Sequence, residues 1–187
     1  MYTYKYPRPA VTTDIVVWAI DKLKNEVDIL LIKRKNEPFK GYYAFPGGFL
    51  DEQESAEQCA IRELEEETGL TQLPLIQMHT FSKPGRDPRG HTVSIVFFTL
   101  VDKSSVLAKA GDDAAQVEWI NFNHAFGDIL FAFDHKDILN YSALFVWRNI
   151  FLHCDFSSPK WLFYPFLSLL GEQAISLLKN LLTNVRL

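Results

Sequence analysis

Residues 46–70 read PGGFLDEQESAEQCAIRELEEETGL, and eight of the chain's 23 acidic side chains fall between Asp51 and Glu67. A run of like charge this dense, set behind a Gly-Gly turn, restricts local structure and chemistry more than any other segment. Glu63, Glu66 and Glu67 stand at i, i+3 and i+4, so on a helix their carboxylates share one face within reach of a common point. Without a counter-ion that arrangement is destabilising. A hard divalent cation resolves it, because Mg²⁺ takes oxygen ligands and binds a few carboxylates together with phosphate oxygens and water. Read alone, ELEEE is an ordinary solvated helix face. The wider spacing decides against that: Gly48, Glu54, Arg62, Glu63, Glu66, Glu67 and Gly69, with Leu64 and Leu70, fit the pattern G-x5-E-x7-R-E-U-x-E-E-x-G-U, where U is a bulky aliphatic. Residue frequencies put a chance match to the whole pattern on the order of 10⁻⁷ or less.

The helix that carries these groups has clear ends. Ser55 is placed as an N-cap with Gln58 three residues on, and Gly69 sits where a C-cap glycine belongs, which predicts a helix over 56–68. Ahead of it, the β-branched and aromatic run 11–20 and the run 27–35 are separated by the polar DKLKNE and read as a hairpin. After it come QLPLIQMHTF, the polar loop SKPGRDPRG and HTVSIVFFTLV, whose apolar density predicts a strand buried on both faces. A turn at AGDDAA, a strand QVEWINF and a helical pattern from about Asp134 complete an α/β order.

We read one domain over 1–140. Residues 141–187 change character, with four basic residues against two acidic among many aromatics and leucines, and read as a hydrophobic C-terminal helical extension that packs or dimerises. Its rings Trp147, Phe151, Trp161, Phe163, Tyr164 and Phe166 are too many to leave in water, which points to a homodimer.

Net charge −4 argues against broad nucleic-acid binding, which needs a basic face. The uncharged apolar runs 138–147 and 161–171 are too short to span a bilayer, and the N-terminus lacks the charged and apolar regions of a secretory signal. Cys59 and Cys154 show no CxxC spacing and read as buried thiols. The expectation is a cytoplasmic protein with neither a nucleic-acid nor a membrane partner. The five histidines lack metal-ligand spacing and read as structural or surface residues. His91, beside the polar loop, is the one best placed to matter. In that loop Arg86 and Arg89 offer two planar forks suited to bidentate phosphate contacts.

The acidic pattern is the Nudix box, and the chain resembles a Nudix hydrolase. That resemblance implies an α/β/α sandwich with a mixed central sheet, and cleavage of a nucleoside diphosphate linked to a further moiety. It implies Glu66 and Glu67 as principal metal ligands, Glu63 as a third ligand or the base for the attacking water, and Arg62 as orienter of the glutamates. Glu54 would support the loop, while Gly47 and Gly48 let the backbone pass close to helix and phosphates. Mg²⁺, or Mn²⁺ in its place, is the implied cofactor.

Pro84, 14 residues after Leu70, is similar to the proline that marks ADP-ribose pyrophosphatases. YPRPAVTTDIVVW, PGRDPRGHTVS, GDDAAQVEW and FAFDHKDIL resemble the ADP-ribose-type subgroup that includes NAD-metabolism repressors, over about residues 6–140. By that resemblance the substrate is ADP-ribose, cleaved to AMP and ribose 5-phosphate by a homodimer. Arg34 is then a further phosphate or ribose contact, and the loop with Asp112 and Asp113 supplies a catalytic acid in some relatives. Tyr43 and Phe45 face either the adenine or the core. Two alternatives are a nucleoside triphosphate pyrophosphohydrolase and an ADP-ribose-sensing transcriptional regulator. The 47 residues after Asn140 are few for a winged helix.

Overall fold

The computed structural model describes residues 5–109, 116–127 and 129–151. Strands β1 (Ala10–Asp21) and β2 (Glu26–Lys33) form the expected antiparallel hairpin. Its turn is closed by Asp21, whose Oδ1 accepts the N–H groups of Leu23 and Lys24, and Asn25 supplies a φ of 54°. Two short strands follow, β3 (Tyr43–Ala44) on β2 and β4 (Gly47–Phe49) on β1.

Helix α1 (Ala56–Thr68) starts at Ser55, which forms a reciprocal capping box with Gln58, and stops at Gly69 in the left-handed conformation, φ 69°. Beyond it lie β5 (Ile76–Phe81), β6 (Thr92–Asp102), β7 (Gln116–Asn121), α2 (Phe122–Phe126) and α3 (His135–Phe151).

The strands form one mixed sheet ordered β3-β2-β1-β6-β5, with β7 also on β2 and β4 also on β1. Among the described strands β1 and β6 form the parallel pair, in register from Ala10 opposite Thr92 to Ile20 opposite Asp102. Alternation sorts β1 between two cores. Ile15, Val17 and Ala19 meet Ala60 and Leu64 of α1, whereas Val16, Trp18 and Ile20 share a core with Phe122 of α2 and Ile138, Leu139, Ala143 and Val146 of α3. The result is helix, sheet, helix. Strands at the centre are covered on both faces, which is why β6 reads as a continuous apolar run.

Helix α3 passes through position 140, because Ala143 and Val146 complete the core that Trp18 and Phe98 begin. The shift in composition at Tyr141 therefore does not coincide with the end of an element, and the boundary expected there falls inside the helix. Residues 110–115, with Asp112 and Asp113, and 152–187, with Cys154, Trp161, Phe163, Tyr164 and Phe166, lie outside the described residues. Cys59 is buried. No described helix is long and apolar enough to cross a membrane.

Candidate active site

Strand β1 changes from apolar to polar at its N-terminal half, where Thr12, Thr13 and Asp14 are buried in succession, and β4 lies against this stretch. The fit is tight at both glycines of β4, against backbone at Gly47 and against the Glu63 carboxylate at Gly48. A Cβ on Gly47 would sit 2.0 Å from the Thr13 carbonyl oxygen, and one on Gly48 would sit 2.2 Å from Glu63 Oε1. Glycine here brings the turn against both the sheet and the acidic face of α1.

On that face Arg62 gathers three carboxylates. It donates to Glu54 from Nε at 3.1 Å and Nη2 at 2.6 Å, and from Nη1 to Glu63 at 2.7 Å and Glu66 at 3.0 Å. Nη2 also donates to the Phe49 carbonyl at 3.2 Å. The Arg62 fork and the Asp51 N–H hold Glu54 down to about 2, and Glu54 and then Glu63 raise Arg62 in turn. Burial pushes Glu63 up although Arg62 opposes it.

Glu67 turns the other way, into the cleft, where Oε2 accepts the Gly47 N–H at 2.9 Å. Burial drives its carboxyl up to about 8, further than this one hydrogen bond restores. The three box carboxylates thus share a face but do not meet at one point. Among the described residues no three His, Cys, Asp or Glu side chains converge as a ligand set, and Arg62 is paired with Glu63 and Glu66.

The cleft is also lined by Arg34, Arg86, Arg89 and Phe133. Arg34, at the end of β2, donates from Nε to the Pro38 carbonyl at 2.9 Å. Burial and then the neighbouring Arg89 lower its pKa. Arg89 pairs with Asp87 at 2.7 Å and lies over the Phe49 ring at 5.0 Å.

Arg86 differs from the sequence expectation. Its fork is closed by Asp134, Nε to Oδ2 at 2.8 Å and Nη2 to Oδ1 at 2.6 Å, with Asp14 3.8 Å away and its side chain only 4% exposed. Asp134 thus engages Nε and Nη2 of Arg86 while its Nη1 donors are left over, and Arg86 lines the cleft together with Arg34 and Arg89.

Sequence reasoning passed over the floor. Asp14, Ser94 and His135 form a buried polar group there: Ser94 Oγ donates to Asp14, and His135 Nε2 stands 3.5 Å from Asp14 Oδ1. His135 Nδ1 accepts the Phe45 N–H at 2.9 Å, so the ring proton sits on Nε2, and burial lowers its pKa and keeps it neutral. One signal was available, an aspartate inside the strand-like TTDIVVW. The histidine singled out, His91, is exposed and does not line the cleft. Phe45 stacks on His135 and is fully buried at the edge of the cleft, whereas Tyr43 is half-buried, packs against the same core and donates from its hydroxyl to Glu118.

Residues 10–141 match the NUDIX domain. The chain is 43% identical over 144 residues to the ADP-ribose pyrophosphatase of Methanocaldococcus jannaschii, covering 77% of this chain and 78% of that protein. It is 35% identical to the ADPR responsive transcriptional repressor NtrR of Acinetobacter baylyi, over 72% of this chain but only 53% of the repressor. Among solved structures, the NUDIX domain of Shewanella oneidensis NrtR complexed with ADP ribose superposes with a TM-score of 0.70 at 27% identity, over 78% of this chain and 94% of that one. With a box that is complete and a domain match over most of its length, the chain belongs to the Nudix family and is a Nudix hydrolase.

Proposed function

We propose that this hydrolase cleaves the diphosphate of ADP-ribose, giving AMP and ribose 5-phosphate, with a divalent cation, Mg²⁺ or Mn²⁺, held by Glu63, Glu66 and Glu67. One observation carries the reading: Glu67 and the pair Arg34 and Arg89 line a single cleft around Gly47 and Gly48. A diphosphate needs positive charge on both sides, and this cleft offers guanidiniums together with a carboxylate short of a counter-charge.

The donors are carboxylate oxygens, the chemistry a hard cation takes, and binding one would draw Glu63 and Glu66 away from Arg62. Glu67 is half-buried with one hydrogen bond from Gly47, and Glu63 and Glu66 stand one turn away or less on the same helix. When bound, the cation supplies charge that neutralises the diphosphate and acidifies water. The chain's own groups do the rest. Arg34 and Arg89 hold the phosphates, Gly47 and Gly48 allow their close approach, and Arg62 keeps Glu54 and Glu63 in place. Water oxygen forms a bond to phosphorus, the bridging P–O bond breaks, and the proton passes to a carboxylate of the box. The M. jannaschii relative supports ADP-ribose as the substrate by its name and its extent of match.

The test is kcat/KM on ADP-ribose, NADH, dinucleoside polyphosphates and nucleoside triphosphates with Mg²⁺. ADP-ribose should lead, and a nucleoside triphosphate turned over tenfold more efficiently would overturn the assignment. A second reading, an ADP-ribose sensor in a transcriptional regulator, is favoured by likeness to the repressor. A sensor would bind ADP-ribose in the same cleft without releasing AMP.

A further inference from the structure

Two phenylalanines of this cleft region have left-handed backbones, Phe133 at φ 52° and Phe39 at φ 65°. A bulky L-residue rarely adopts that region, which glycine and asparagine occupy with little strain. The two rings touch edge to face, centroids 5.0 Å apart. Such strain persists where the surroundings hold it, so its usefulness is sought in what the side chain reaches.

Phe133 reaches two of the guanidiniums that line the cleft. Arg34 Cζ lies 4.7 Å from its ring centroid and Arg89 Cζ 5.3 Å. Of the two, Arg89 has a carboxylate partner, Asp87; Arg34 makes no ion pair with a described carboxylate and is anchored at Nε by the Pro38 carbonyl. Two like charges over one aromatic ring repel each other, and the negative face of the ring offsets that repulsion only in part. An anion between the guanidiniums supplies the remainder.

We propose that Phe133 is a positioning residue for diphosphate binding: its ring holds the Arg34 and Arg89 guanidiniums at a fixed separation, ready for the phosphates of the substrate. The proposal rests on reading this cleft as the diphosphate site. It adds that affinity depends on the aromatic character of position 133, beyond its volume. Leucine fills much of the space without a π face, whereas tyrosine keeps the ring.

The experiment compares the full-length protein with Phe133→Leu, Phe133→Met and Phe133→Tyr. Binding of inorganic pyrophosphate and of ADP is measured by calorimetry with a metal chelator present, and hydrolysis of ADP-ribose is measured with Mg²⁺. Phe133→Leu and Phe133→Met should weaken pyrophosphate and ADP binding roughly tenfold and raise KM in step, with kcat within about threefold, and Phe133→Tyr should restore binding. Unchanged pyrophosphate affinity in a folded Leu or Met variant would overturn the proposal. So would unfolding of both, which would assign the ring to the core. If ADP-ribose proves not to be the substrate while pyrophosphate binding still follows the ring, the substrate assignment fails and the role of Phe133 stands.

Discussion

At the residue scale Glu67 shows how the site opposes the fold. Its carboxyl is pushed up to about 8 by burial, against about 4.3 in an unfolded chain. A carboxyl raised in this way is neutral in both states below the unfolded value and imposes no penalty there. Between that value and pH 8 the unfolded state ionises first, so stability falls as pH rises. Glu67→Gln removes the titration and keeps an acceptor for the Gly47 N–H. In chelator, urea unfolding should find the variant more stable than the parent by about 2–4 kcal/mol at pH 8 and nearly equal at pH 4.5. The same substitution should lower Mg²⁺-dependent turnover by roughly three powers of ten. A variant that keeps Mg²⁺-dependent activity would count against Glu67 as a metal ligand, and one whose gain in stability over the parent is no larger at pH 8 than at pH 4.5 would show that burial does not raise this carboxyl.

At the scale of elements, two arginines of one loop do different work. Arg86 ties the loop to the start of α3 through Asp134, nearly excluded from water, whereas Arg89 is 43% exposed and faces the cleft. Arg86→Ala leaves Asp134 and Asp14 without their buried partner, and breaking such a pair costs about 3 kcal/mol. Its main effect should be a lower unfolding midpoint. Arg89→Ala should raise KM, since its proposed contact with substrate is charge-assisted, and should cost about 1–2 kcal/mol of stability, less than Arg86→Ala, because Asp87, only 3% exposed, keeps the N–H of residue 89 but loses the fork. Denaturation and steady-state kinetics on both variants check this, and a reversed pattern would exchange the two roles.

For the whole molecule the C-terminal stretch is decisive. We propose that the chain is a homodimer and that residues 152–187 carry the association, since the described domain already covers both faces of its sheet. Cutting after Asn140 deletes Ala143 and Val146 from the core and should destabilise the domain severely, because loss of each large buried aliphatic side chain costs on the order of 2–4 kcal/mol. Cutting after Phe151 spares the core. Light scattering should then report a monomer that melts as a folded domain, against a dimer for the full chain. A monomeric full-length protein, or a dimer that survives the cut, would relocate the interface or abolish it.

Local chemistry determined much of this protein before any fold was known. The cap at Ser55, the stop at Gly69, the shared face of Glu63, Glu66 and Glu67 and the hairpin of β1 with β2 depend on periodicity and turn residues close in sequence, and the structure has them all. The family was legible for the same reason, because its box is one continuous segment. The tertiary structure decided what joins distant segments. Asp14 meets His135 only because β1 and α3 are brought together across the sheet, and Phe133 finds Arg34 and Arg89 only once loops far apart in the chain converge on β4. Arg86 reads in the sequence as an unpaired cation because composition records a charge and omits its partner, Asp134. Pairing over 48 positions of chain is a property of packing, and burial then decides whether a guanidinium is left for substrate or committed to the fold.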